Sequence, residues 1–169
     1  MFRITVFLFL SVVLFSSYLV EVKQVVGAEQ IDKVYVVKSK RQLYLMSNNR
    51  IVKTYTVGLG QQPIGHKQQR GDSRTPEGKY LIDYRNPKSR FHLSLHINYP
   101  SHIDRRRAWS QGVSPGGDIF IHGLPNGMED AGGLFRQSDW TDGCIAVSNE
   151  AIQEIWRTVK NGTPIEIVP

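Results

Sequence analysis

A mainly β domain with short helices is what the sequence predicts, and three observations carry that prediction. Runs of β-branched and aromatic residues recur between turn residues, as in Val34-Tyr35-Val36-Val37 and again from Ile51 to Val57. The segment from Phe91 to Asn98 alternates apolar and polar side chains with the period of a strand. Helices are expected only over two short stretches, 103–111 and 149–159. A chain of 169 residues suits one domain with a real core, and no internal repeat interrupts it. With 40% hydrophobic and 21% charged residues the composition is globular, which excludes a disordered chain.

Arg3 followed by the uncharged run Ile4–Val20 reads as a secretory signal, with Val26-Gly27-Ala28 offering small residues for cleavage. At 17 residues the run also reaches the lower limit for spanning a bilayer, so residues 1–28 are a signal peptide or a membrane anchor. Either way the chain is expected to be exported, to the periplasm or cell envelope. Val34–Val37, Gln42–Met46 and Ile51–Val57 then form a three-stranded meander, with Asn48-Asn49 at the second turn. The stretch 58–78 is polar and broken by glycine and proline; its length predicts a functional or mobile loop. It feeds a strand from Lys79 to Tyr84. On the next strand Phe91, Leu93, Leu95 and Ile97 form the core face, while His92, Ser94, His96 and Asn98 form a polar wall facing a cleft or solvent. Pro100-Ser101 starts a helix, Asp118–Ile121 is a buried strand, and Ile145-Ala146-Val147 a short one. Ser148-Asn149 caps a helix with Ile152, Ile155, Trp156 and Val159 at helical spacing, and Thr163–Val168 is the last strand.

The formal charge of +6 favours acidic partners. Nucleic acid is not among them, because the basic residues are scattered without interleaved aromatics, and Arg105-Arg106-Arg107 reads as a solvated helix face. His92 and His96 lack a third ligand at useful spacing, so no metal and no cofactor is expected. The single cysteine, Cys144, can form no internal disulfide; in an exported protein such a thiol is a bridge between chains or a reactive group. A thiol needs a neighbouring base to become a strong nucleophile. His122 stands at the end of the strand Asp118–Ile121, and Gly123 lets its surroundings pack closely. Gly143 gives Cys144 a turn in which successive N–H groups converge, as an oxyanion hole requires. A separation of 22 residues does not force His122 and Cys144 together, so a buried, inert cysteine stays open as the alternative.

The pattern His122-Gly123, a loop, then Thr141-Asp142-Gly143-Cys144 resembles the active-site motif of the L,D-transpeptidase (YkuD) family. Arg74-Thr75-Pro76-Glu77-Gly78, the strand Phe91–Pro100 and the helix after Asn149 extend the resemblance over residues 32–168. It implies a YkuD-type β-sandwich or barrel-like catalytic domain, with Cys144 as nucleophile and His122 as general base and acid. Gly123 would orient His122, and the Gly143 and Cys144 N–H groups would form the oxyanion hole. His96, Asp142 and Ser94 are candidates for substrate binding. Two departures stand out: Asp142 replaces a common histidine, and Ala146 a common arginine that would hold a substrate carboxylate. The implied partners are peptidoglycan stem peptides and an amine acceptor, which can be a wall-linked protein. The implied reaction is transpeptidation through a cysteine thioester, in cross-linking or remodelling of the wall. Hydrolysis of the same thioester, or a non-catalytic wall-binding module, are the alternatives.

Overall fold

The computed structural model describes residues 30–128 and 138–169; the signal or anchor expected over 1–28 lies outside them. Eight strands form one sheet: β1 Lys33–Val37, β2 Gln42–Ser47, β3 Arg50–Thr56, β4 Gly78–Ser89, β5 His92–Ile97, β6 Ile119–His122, β7 Ile145–Ala146 and β8 Pro164–Val168, in the order β3-β2-β1-β8-β4-β5-β6-β7. The expected meander is there, with β1 antiparallel to β2 and β2 to β3. The last strand joins it, β8 pairing in parallel with β1 and antiparallel with the start of β4. At 12 residues β4 is twice the length its pattern suggests, because it serves two neighbours in turn, β8 through Leu81 and β5 from Ile82.

The sheet's two edges meet. Beyond β3, Gly58 exchanges both backbone hydrogen bonds with Ala146 of β7 at 2.9 Å, and Gly60 bridges Thr141. That contact gives the sheet its barrel-like closure, and Cys144 lies at the seam, one residue before β7.

The core follows the alternation. Val34, Val36, Leu43, Leu45, Leu95, Ile97 and Ile121 are buried on the inner face. The helix α2, Asn149–Thr158, closes it with Ile152 and Ile155 and continues into Val159. Each such side chain, fully buried, contributes about 1.5–3 kcal/mol. Ser148 caps α2 by accepting the Ala151 N–H at 3.2 Å.

The helix α1, His102–Ser110, is held differently. It buries only Asp104 and Ala108, and its three arginines are exposed, as expected of a solvated face. Asp104 closes a capping box with Ser101, accepts the Tyr80 hydroxyl at 3.1 Å and lies 3.1 Å from His66 Nε2. Burial alone would raise its carboxyl, but the bonds from His66, Ser101 and Tyr80 outweigh that and hold it at about 2.

The long stretch between β3 and β4 is built into the domain. Lys38, 2% exposed on a single 3-10 turn, donates to Gly65 O at 2.7 Å, Thr75 O at 3.0 Å and Glu77 Oε1 at 2.8 Å. Lys67 donates to Asp72 Oδ1 at 2.7 Å, and Asp72 in turn accepts the Gln68 and Gln69 N–H groups. Composition marked this segment as irregular; buried lysines fix it in place.

Candidate active site

β6 and β7 run parallel with His122 opposite Ala146, so Cys144, two residues before Ala146, falls on the same face as His122. Both line a cavity of about 280 Å³, together with Ser94 of β5, Phe91, Phe120, Asp118 and residues at the end of β4 and in the turn after it, among them Lys88, Ser89 and Arg90. The 22-residue separation left their meeting open; the parallel pairing of two short strands brings it about.

His122 is 3% exposed, and its Nδ1 lies 2.7 Å from Gly123 O. A carbonyl only accepts, so Nδ1 carries the hydrogen and a neutral ring presents a bare Nε2. The ring packs at a tilt of 35° against Phe91, 4.5 Å between centroids, and meets Trp140 edge-on at 5.6 Å. Burial lowers the imidazole to about 4, the Gly123 carbonyl pulling the other way. Gly123 has no room for a side chain: a Cβ there would sit 2.5 Å from Asn149 Oδ1, which accepts the Leu124 N–H at the start of α2.

The Cys144 thiol donates to Asp118 O at 3.6 Å. Burial raises it to about 11; the Phe120 backbone and Lys67 oppose the shift, while Asp142 and Asp118 add to it. At neutral pH a thiol and a neutral imidazole therefore line the same cavity.

Thr141 builds the turn. Its hydroxyl donates to Cys144 O at 2.8 Å and accepts the Gly143 N–H at 3.1 Å. The Gly143 N–H, expected in an oxyanion hole, is therefore already bonded, and the Cys144 N–H is left as the candidate donor. Gly143 has a different role. Its φ of 128° is closed to other residues, and a Cβ would lie 2.6 Å from Arg74 O. The turn thus rests directly on the segment that Lys38 holds.

The expected polar wall on β5 is divided. Ser94 pairs across the sheet with His122 and is buried in the cavity. His96 instead bonds Asp83 at 2.6 Å, packs edge-on against Phe120 and lines a separate hollow with Asn98 and His102, so it does not join Cys144. His92 has a φ of 64° and turns to Gln153 on α2 at 2.9 Å. Asp142 is exposed beside the turn and does not line the cavity, acting on Cys144 only through its charge. Phe91, assigned to the core by alternation, belongs to the site. His92, with its positive φ, breaks the alternation between Phe91 and the rest of β5. Trp140, Asp118, Lys88 and Arg90 were missed because no periodic signal marks them; only their place beside Thr141, His122 and Phe91 in the folded chain does. Among the described residues no three His, Cys, Asp or Glu side chains cluster as metal ligands.

The family model for the L,D-transpeptidase catalytic domain, YkuD, matches residues 32–167. YafK of Escherichia coli strain K12 is 30% identical over 138 residues, covering 80% of this chain and 46% of YafK. L,D-transpeptidase 5 of Mycobacterium tuberculosis is 25% identical over 142 residues, covering 84% of this chain and 28% of that protein. The crystal structure of Pgp2, a helical cell shape determining protein of Campylobacter jejuni, superposes with a TM-score of 0.62 at 23% identity, over 83% of this chain and 48% of Pgp2. The chain spans less than half the length of each.

Proposed function

This chain belongs to the L,D-transpeptidase (YkuD) family, and from that premise we propose that it acts on peptidoglycan stem peptides through a thioester on Cys144. The observation that carries the reading is the His122 tautomer: with Nδ1–H given to Gly123 O, Nε2 is a base in the cavity that holds the thiol. His122 Nε2 takes the Cys144 proton as sulfur attacks the carbonyl carbon joining the L-centre of a diamino acid to the terminal D-residue. The carbonyl oxygen becomes an oxyanion facing the Cys144 N–H. The C–N bond then breaks, its electron pair stays on nitrogen, and the imidazolium returns the proton to the departing amine. A second amine attacks the thioester, loses a proton to His122 and releases the thiol, forming a new amide in the wall. Export to the envelope is part of the same reading.

A neutral resting pair suits this sequence, because proton transfer then accompanies attack and no stable charge has to be held in an apolar cavity. Purified protein incubated with muropeptides should yield new cross-linked dimers; only shortened peptides would assign water as the acceptor and overturn transfer. A carbapenem, whose strained amide an activated thiol opens, should add one equivalent to the intact mass and none to Cys144→Ala. His122→Ala should slow that acylation at least about 10²-fold, whereas His96→Ala should not. A binding module without catalysis would show no adduct.

A further inference from the structure

The chemistry above leaves the charged residues of the cavity unused. Lys88, exposed at the end of β4, and Arg90, exposed in the turn after it, line it together with Asp118. β6 sets the distance between them. Arg90 O accepts the Asn126 N–H at 3.0 Å, beyond the His122 end of β6, while Asp118 immediately precedes its first residue. Asp118 and His122 are four residue steps apart along the strand, about 13 Å at the usual rise. The cavity is thus polarised along its length, with two cations at one end and a carboxylate at the other.

These cations differ from three others near the seam. Lys38, Arg41 and Lys67 each hold an acidic partner at 2.7–2.8 Å. Among the described residues, neither Lys88 nor Arg90 has an acidic partner or a side-chain hydrogen bond. β7 supplies no cation to the cavity, since position 146 is a buried alanine. The walls between the two ends, Phe91 and Phe120, are apolar, which strengthens the field across the cavity.

We propose that Lys88 and Arg90 form a subsite for a free carboxylate of the peptide substrate. Arg90 supplies a planar fork that grips both oxygens and Lys88 a point charge, while Asp118 repels the carboxylate from the opposite end and so fixes the direction in which the peptide crosses Cys144. The inference rests on the peptide-acylation reading above and names the substrate group that its cavity selects.

The test uses the full chain and synthetic stem peptides in three forms: all carboxylates free, the terminal D-residue amidated, and the diamino-acid carboxylate amidated. The wild type should prefer the free acid over one amidated form by about 10–100-fold in kcat/KM, mainly through KM, as expected of a charge-assisted hydrogen-bonded contact. That preference should shrink as salt is raised. In Lys88→Gln/Arg90→Gln the ratio should fall to about 1, and Arg90→Lys should restore only part of it, since it lacks the fork. The amidated form that loses the preference identifies the carboxylate. A ratio unchanged in the double variant, or a wild type indifferent to both amidations, would overturn the subsite while leaving acylation at Cys144 intact. A wild type that cleaves none of the peptides and takes up no carbapenem would instead remove the reading beneath it, and the subsite with it.

Discussion

Behind the Cys144 turn, Lys38 and Arg41 are bound up in the protein's own acceptors; in front of it, Lys88 and Arg90 are not. At the rear, Lys38 is 2% exposed and directs its ammonium to two loop carbonyls and Glu77. The segment it holds carries Arg74, whose carbonyl leaves no space for a side chain on Gly143. Arg41 does the same for the other strand of the seam: it grips Asp139, which accepts the Leu59 N–H at 3.0 Å. In front, Lys88 and Arg90 stand exposed around the cavity. The same residue types thus serve two ends, and their partners tell which. A cation whose hydrogen bonds are met by backbone and a nearby acid positions the chain, whereas one beside a reactive cavity with none met is available to a ligand.

The comparison breaks most readily at Lys38. Burial lowers its pKa against the pull of Glu77, so the site already bears a desolvation penalty that its three bonds must offset. Lys38→Met removes those bonds and leaves Gly65 O, Thr75 O and Glu77 without them, which should cost about 3–5 kcal/mol in urea unfolding. A loss under about 1 kcal/mol, with acylation unchanged, would show that the rear cation holds nothing.

His122 tests the front in the same units. Its folded pKa of about 4 lies below the ordinary 6.5, so between those values the unfolded chain takes up a proton that the folded one refuses. Stability is unaffected above pH 6.5, falls as the pH drops through that window, and is lower by roughly 3 kcal/mol once pH 4 is passed. His122→Gln cannot titrate and should lack this component. Comparing the two proteins at pH 7 and pH 4 cancels the carboxylates common to both; equal losses would mean that the imidazole is not held neutral by burial.

How much of this could be read from the chain alone depends on whether the controlling contact is local. The meander, the cap at Ser148 and the apolar stripe of α2 follow from neighbouring residues and were legible. The parallel pairing of β8 with β1 joins chain segments at opposite ends of the domain, and no turn signal announces it. Cys144 and His122 were legible as a motif, but their shared cavity depends on β6 lying beside β7. Alternation misplaced Phe91 and His92 because His92 takes a left-handed φ of 64° at the start of β5, and a left-handed residue leaves no mark in a hydrophobic pattern. His96 looked equivalent to Ser94 on the same grounds; Asp83, which captures it, belongs to the neighbouring strand. Lys38 carried no signal at all, since a lysine is presumed exposed until its partners are seen.

Front and rear meet at Gly143, where a substitution should affect catalysis more than folding. Gly143→Ala places a methyl against Arg74 O and forces a left-handed φ on a residue with a Cβ, so the turn must shift. A displacement of about 1 Å at the nucleophile can cost about 10²-fold in rate, near 2.7 kcal/mol of barrier. Carbapenem acylation followed by mass should show that loss with Cys144 still present; an unchanged rate would separate the rear segment from the nucleophile it touches.

The smallest expected effect makes the comparison sharpest. Lys88→Gln and Arg90→Gln remove side chains that bond to nothing among the described residues, so each should alter unfolding free energy by no more than about 0.5 kcal/mol. Lys88 does help to hold the end of β4, but through its backbone N–H, which donates to Asn86 Oδ1 at 3.0 Å, and glutamine keeps that bond. Arg90 likewise offers Asn126 its carbonyl and not its guanidinium. If either variant were destabilised as strongly as Lys38→Met, the front cations would be structural after all, and a change in substrate preference could not be assigned to a lost carboxylate contact. If both fold as the wild type does, any change in preference belongs to the cavity.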